Sequence, residues 1–503
     1  AGEKSAEVIV ARKAVKAAGA KDRRTNETDE PPNSVSQARR DPKPGGAATA
    51  AATNSGGAME GSGSAGSGIA GVESGALAQG GEKTVLNEEL MDRVLDPDNL
   101  RASYLAVKAN RGSAGVDGIG TEELGAHLRV HWEGIEAKLR AGRYKPAAVK
   151  AVRIPKAGGG ERQLGIPTTL DRVIQQALKG VLEPIFDPGF SDHSYGFRPG
   201  RSAHDAVRAA RDLVVNENRG WVIEIDIEAF FDHVDHDILM REVARKVRDK
   251  KVLKLLGSYL RAPLKDGVET QPRKKGTPQG GPLSPLLANI YLDQLDTELE
   301  RRGVEFIRYA DDLTIYCGSP RSAERSYESI VKWIERHLKL KVNRSKSGTR
   351  PPEEGSFLGF RIAPDGRIRI SEKSLKRLKV RVRELWDARQ SKTSEQLRDR
   401  WSSYIRGWWS YFRLTECSWD YDSLSQWMRR HMRKCFWLRW HDHRGRRNAL
   451  KRLGLPPHLE RLGSCSRGAW RVAAHAVMQH ALNNGVLRLH GFVTPSDLAQ
   501  AAT

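Results

Sequence analysis

The 503-residue chain has only four cysteines, Cys317, Cys417, Cys435 and Cys465, and no Cys-x-x-Cys spacing. That argues against a disulfide framework or a zinc knuckle, and ordinary reduced thiols are expected. No apolar run reaches the length of about 18 residues that a bilayer-spanning helix needs, so no membrane partner is expected. The first residues lack the basic-then-apolar form of a secretory signal. Acids are in deficit, 62 against 84 Lys and Arg, for a net charge of +22. An excess of this size points to nucleic acid before a membrane surface. Aromatics are missing from the start of the chain, the first being Tyr104, and Gly, Ala and Ser dominate from Gly45 to Gly81. Such a stretch buries too little apolar surface to offset its ordering entropy. Residues 1–82 are therefore expected to be a disordered leader, with a short helix around Val8 to Ala18. Its functional alternative to a dispensable extension is a basic arm that touches RNA.

Against these absences, one stretch carries concentrated chemistry: Phe306-Ile307-Arg308-Tyr309-Ala310-Asp311-Asp312-Leu313-Thr314-Ile315-Tyr316. β-prone residues flank a central Tyr-Ala-Asp-Asp, which reads as a hairpin with two carboxylates at an exposed tip. Adjacent acids repel unless a cation lies between them, and hard oxygen ligands suit Mg²⁺. Upstream, apolar residues alternate from Trp221 to Ile227 and put Asp226 near the end of a strand. One Asp beside two more could hold two divalent ions about 3.5–4 Å apart, the arrangement in-line phosphoryl transfer needs.

The rest of the chain punctuates itself clearly. Leu86, Leu90, Val94 and Leu95 share a helix face that should end before Pro97. Asn110 to Gly118 is glycine-rich but has no Gly-Lys-Ser/Thr, so it is not a phosphate-binding loop of that type. Val152 to Lys156 and Gly158 to Leu164 read as a basic hairpin, followed by a helix from Leu170 to Ile185 with a wide apolar face. His233 and His236 sit beside acids, where capping or packing is the simpler expectation than metal binding. Beyond Ile370, Leu375, Leu378, Val382 and Leu385 recur at helical spacing among lysines and arginines. Nine of the twelve tryptophans fall between Trp386 and Trp470, where core anchoring and RNA contact both have a claim.

The Tyr-Ala-Asp-Asp hairpin after a strand Asp resembles the palm of reverse transcriptases. Tyr195-Gly196-Phe197-Arg198-Pro199-Gly200-Arg201-Ser202 and Pro278-Gln279-Gly280-Gly281-Pro282-Leu283-Ser284-Pro285 narrow the resemblance to group II intron-encoded reverse transcriptase/maturases. The resemblance implies an α+β right-hand polymerase, with fingers and an antiparallel palm sheet in 83–368 and a helical thumb/maturase domain in 369–503. It implies RNA-directed DNA synthesis with Asp226, Asp311 and Asp312 catalytic, and Asp226, Ile227, Asp311 and Asp312 as ligands of two Mg²⁺. Lys156, Arg162, Phe231, Gln279 and Lys346 would form the nucleotide pocket, with Phe231 selecting deoxynucleotides by excluding a 2′-hydroxyl. Phe357, Leu358 and Gly359 would grip the primer, and Arg198, Arg201, Lys376, Arg377 and Arg381 would contact template or RNA. The partners implied are intron RNA, an RNA template, a DNA primer or target and dNTPs, with a homodimer open. The setting expected is the bacterial cytoplasm, at the nucleoid when the protein acts on target DNA. His441-Asp442-His443 does not reproduce a His-Asn-His nuclease pattern, so no endonuclease domain is expected. The alternatives are a domesticated reverse transcriptase and a binding-only splicing cofactor with a vestigial site.

Overall fold

The computed structural model describes residues 88–155, 161–215, 219–416, 418–465 and 467–502. The expected leader over 1–82, Leu86, Lys156 and Cys417 lie outside them. Among the described residues the first helix, Leu90–Val94, ends before Pro97, and Pro97 then opens the next helix, Pro97–Asn110. Asp96 caps that helix by accepting from the backbone N–H groups of Asp98 and Asn99, and proline is tolerated in a first turn whose N–H has no partner.

Among the described residues, ten strands make two sheets and a ribbon. In the fingers, β1 (Val149–Pro155) and β2 (Glu161–Ile166) form the expected antiparallel hairpin. A second hairpin, β4 (Leu264–Asp266) with β5 (Glu269–Gln271), extends the sheet through a parallel pairing of β4 with β1. The palm sheet has the order β6-β7-β3-β8, built from β3 (Trp221–Asp226), β6 (Glu305–Tyr309), β7 (Asp312–Cys317) and β8 (Gly348–Arg350). Every pairing in it is antiparallel. The ribbon is β9 (Phe360–Ile362) with β10 (Ile368–Ile370).

Among the described residues, besides a small cluster of Val107, Leu124 and Val173, three larger cores organise these elements. One packs helix Thr169–Phe186, through Ile174, Leu178 and Leu182, and helix Ser284–Arg301 against Ile223, Ile225 and Ile315 of the palm sheet. A second packs the ribbon's Phe360, Ile362, Ile368 and Ile370 with Val222, Ile307 and Tyr316 of that sheet. The third lies wholly in the C-terminal third, where Leu378, Val382 and Leu385 of helix Glu372–Leu385 meet Trp386, Trp401, Met428 and Trp437. Trp401 and Trp437 are fully buried there, so these tryptophans are anchors of the helical core. Among the described residues, no helix is long and apolar enough to cross a membrane.

Candidate active site

Register brings the acids together. Antiparallel pairing sets Asp226 of β3 directly opposite Asp312 of β7, and residues opposite one another in a ladder project to the same face. Asp311 occupies the turn between β6 and β7 beside Ala310, whose φ of +59 is left-handed. A non-glycine residue there costs about 1–2 kcal/mol, and the surroundings hold it. The Arg308 guanidinium donates from Nη1 to the Ala310 carbonyl at 2.9 Å. Gly196 leans on the turn so closely that a Cβ would lie 2.2 Å from the Ala310 nitrogen. Gly196→Ala is therefore expected to shift the turn, at a cost of about 1–3 kcal/mol, seen as a lower thermal midpoint together with slower nucleotide addition.

The tip is not exposed as expected. Asp311 and Asp312 are 7% and 9% exposed, because the turn lies back on Gly196 inside a wide cleft. That cleft, about 2490 Å³, is walled by Asp226, Asp311 and Asp312, by Arg162 of the fingers, by Phe231, Gln279 and Lys346, by Phe357 and Leu358, and by Lys376 and Arg377. The strand end carrying Asp226 is pinned by its own backbone: its N–H donates to Ser347 Oγ at 2.9 Å and its carbonyl accepts from Asn343 N–H at 2.8 Å. Lys346 Nζ stands 3.7 Å from Asp226 Oδ2. Among the described residues no cluster of three or more His, Cys, Asp or Glu is already drawn to metal-binding closeness. The donor set nevertheless fits magnesium, being hard carboxylate oxygens on one face and in one cleft wall.

Neighbouring loops approach through glycine. At Gly276, φ +82, a Cβ would meet the Phe231 carbonyl at 2.7 Å, and Thr277 N–H donates to that carbonyl at 2.7 Å. This ties the Gly276–Pro285 segment to Phe231, which stands edge-on to Phe230 at 5.2 Å. Gly165 N–H donates to the Gln279 carbonyl at 3.0 Å, joining that segment to the fingers hairpin. His236 Nε2 lies 2.7 Å from the Gly276 carbonyl, and Asp235 caps the following helix, so both serve packing. Phe357 and Phe360 exchange backbone hydrogen bonds of 2.9 Å around Leu358 (φ +52) and Gly359 (φ +82). Positive φ at both central positions marks a type I′ turn.

Several expected roles need correction. Arg198 is buried and fully committed: Nε donates to Asp187 Oδ1 at 2.7 Å, and the other nitrogens reach the carbonyls of Asp187, Ser191 and Ser194. A long side chain in a glycine-rich turn has folded inward to satisfy carbonyls, leaving no guanidinium for a template. Arg201 is likewise turned to Asp192 and to the Tyr195 ring, away from the cleft wall. Ile227, which could ligate only through its carbonyl, has its side chain buried at 2% exposure, and its bridge to Val342 is made by the Asp226 carbonyl and the Glu228 N–H, so its expected role needs no correction. Arg381 pairs with Glu384 and lies over Tyr404 rather than in the cleft. Gly359 shapes the turn without lining the cleft. Among the wall residues with no assigned role is Phe197, at φ +62 and 36% exposed, which stands in the cleft between Gly196 and Arg198. An aromatic held between glycine and arginine in a turn was the available signal.

Comparison with known proteins gives the family. The family of reverse transcriptases (RNA-dependent DNA polymerases) matches residues 154–362, and the group II intron maturase-specific domain matches residues 375–454. Protein YkfC of Escherichia coli K12 is 32% identical over 315 residues, covering 55% of this chain and 83% of its own length. The group II intron-encoded protein LtrA of Lactococcus lactis is 29% identical over 352 residues, and the match spans 56% of this chain and 58% of that protein. Among solved structures, a partial Cas6-RT-Cas1–Cas2 complex aligns with 49% of this chain and 42% of the matched one, at 25% identity and a TM-score of 0.33. With its carboxylates paired across an antiparallel palm and a maturase-specific region behind it, the chain belongs to the group II intron family of reverse transcriptases and maturases.

Proposed function

We propose that this protein extends a DNA primer on an RNA template in the cleft, and that its C-terminal helical region binds structured group II intron RNA, assisting splicing and retrohoming as a ribonucleoprotein. The observation that carries the polymerase reading is Asp226 opposite Asp312, with Asp311 beside it, in the wall of a cleft bounded by fingers and thumb. Magnesium bound by these three carboxylates supplies charge neutralisation and a more acidic primer hydroxyl. Every other contribution is positioning. Arg162, with Lys156 beyond the described residues, orients the incoming triphosphate, a geometry suited to bidentate guanidinium contacts. Phe231 bars a 2′-hydroxyl, Gln279 lines the nucleotide pocket, and the Phe357–Gly359 turn seats the primer end. The primer 3′-oxygen bonds to the α-phosphorus as pyrophosphate departs, so no protein nucleophile takes part. Primer extension on an RNA template, with dNTPs but not NTPs, is the expected result. A folded protein that extends nothing would sink the enzyme reading and leave the binding-only splicing cofactor.

RNA recognition is supported by the solvent-facing cations of helix His443–Arg452, including Arg444, Arg447, Lys451 and Arg452. Structured RNA is held largely by shape and phosphate contacts. In the cleft, Lys376 and Arg377 stand in the wall whereas Arg381 does not. Replacing both wall cations by glutamine is expected to flatten the salt dependence of primer–template affinity by roughly 0.9 log units per lost phosphate contact. Arg381→Gln should change it by less. Fluorescence anisotropy at several salt concentrations checks both, and equal slopes for all three proteins would contradict the placement.

A further inference from the structure

The turn at Phe357–Phe360 is held from outside the polymerase domain. Tyr411 lies on helix Ser394–Phe412, inside the maturase-specific match. Its hydroxyl donates to the Leu358 carbonyl at 2.8 Å, across 53 residues of sequence. The Tyr411 ring lies 5.6 Å from that of Phe360 and 5.0 Å from that of Phe412. The backbone carbonyl of Tyr411 is in turn 2.6 Å from His204 Nε2, on helix Ala203–Val215 beside the palm. Just beyond, Glu416 pairs with the β10 backbone: its N–H donates to the Ile368 carbonyl and its carboxylate accepts from Ile368 N–H, both at 3.0 Å. Arg211 closes the loop with an ion pair to Glu416 at 3.0 Å. The end of the helix is thereby fixed at Tyr411 and just beyond it, and the hydroxyl is aimed at one atom of the turn.

That atom matters because Leu358 is a leucine in left-handed backbone, 2% exposed, and both its neighbours Phe357 and Gly359 belong to the same turn. A carbonyl in so tight a bend has few ways to find a donor, and a buried carbonyl without one is costly. Gly359 is held from the other flank, its carbonyl accepting Ser371 N–H at 2.9 Å. The turn is therefore clamped between the start of helix Glu372–Leu385 and the end of helix Ser394–Phe412. Burial pushes the Tyr411 phenol above its ordinary value, so the group stays protonated and able to donate.

We propose that Tyr411 is a positioning residue for the primer terminus: a side chain of the maturase-specific region that sets the primer-seating turn of the polymerase site through its hydrogen bond to Leu358. This rests on the polymerase reading above. Tyr411→Phe removes only the hydroxyl and keeps the ring against Phe360 and Phe412. The expected result is a rise of about tenfold in KM for primer, the worth of one well-placed hydrogen bond. KM for dNTP and the thermal midpoint should hold their wild-type values. Tyr411→Leu, which also removes the ring contacts, should lower the thermal midpoint as well as primer affinity. If Tyr411→Phe leaves primer KM unchanged while wild type extends primers, this proposal fails and the polymerase reading stands. If primer KM, dNTP KM and thermal midpoint all shift together, the hydroxyl is merely structural and the proposal again fails. If wild type extends nothing, both fall.

Discussion

Converting Asp311 and Asp312 together to alanine is expected to reduce primer extension by at least about a thousandfold while leaving the fold intact. Phosphoryl transfer with magnesium draws several kcal/mol of transition-state stabilisation from the ions, and about 1.4 kcal/mol is a factor of ten in rate. Losing the oxygens proposed to hold the ions would remove that stabilisation without touching the sheet, because Asp312 enters β7 through backbone pairing and Asp311 lies in the turn before it. Asp311 and Asp312 as residues are 7% and 9% exposed, so two adjacent acids sit in a largely buried turn. Their mutual repulsion then weighs against the fold. In EDTA the double variant should melt at or above the wild-type temperature. Added magnesium should raise the melting temperature of wild type, as any ligand of the native state does, and leave the variant unmoved. Asp226→Asn separates charge from shape, since the bonds to Ser347 and Asn343 are made by the Asp226 backbone and survive. It should lose activity by a comparable factor. Single-turnover extension and thermal melts with and without magnesium decide the matter. Residual extension within tenfold of wild type, or an equal magnesium-induced shift in the double variant, would overturn the assignment.

How much of this was legible in the sequence depends on where each signal lies. The palm hairpin and the Asp226 strand are local patterns of alternation, and the register that sets Asp226 against Asp312 follows the expected pairing of those strands. The long helix after Ile166 was readable because Val173, Ile174, Ala177, Leu178 and Val181 repeat at helical spacing, with Thr168 as its cap. The β4–β5 hairpin was not foreseen, since strands of three residues with half or more of their side chains wet carry no period-2 signature. Only the Asp266-Gly267 pair, with Gly267 at φ +60, marked its turn. The arginines misled for a different reason. Arg198, read as a template contact, instead turns inward to the Asp187 carboxylate and nearby carbonyls, as Arg308 turns inward to Asp296. Charge identifies a polyanion-binding protein in aggregate, but which cations face the cleft is decided by tertiary partners. Lys376 and Arg377 do, and Arg381, one turn further along the same helix, does not.

Arg308→Met is the substitution with the largest expected effect on stability. The Arg308 side chain is 1% exposed and that of Asp296 0% exposed. Arg308 Nε donates to Asp296 Oδ1 at 2.7 Å and Nη2 reaches Oδ2, so the pair is bidentate. Nη1 serves Asn289 Oδ1 at 3.1 Å as well as the Ala310 carbonyl, and Asn289 Nδ2 donates to the Gly196 carbonyl at 2.9 Å. The backbone of Arg308 adds a further tie, its N–H donating to the His193 carbonyl and its carbonyl accepting Tyr195 N–H, each at 2.9 Å. Arg308 thus ties helix Ser284–Arg301 and the Ala310–Asp311 turn through its guanidinium, and the 193–196 segment through its backbone and Asn289, into a single unit. Removing it strands the Asp296 carboxylate in the core, which costs about 3–5 kcal/mol and should lower the thermal midpoint by about 10 °C. The pair itself need not be net stabilising, because two charges were taken out of water to make it. Arg308→Met with Asp296→Leu removes both charges and should recover most of the lost stability. Activity should not recover with it, because the Ala310 carbonyl still lacks its donor and Asp311 sits beside that residue. A double variant that regains both stability and extension rate would show that the network only supports the core. A stable double variant that remains slow assigns Arg308 the task of holding the Ala310–Asp311 turn in place.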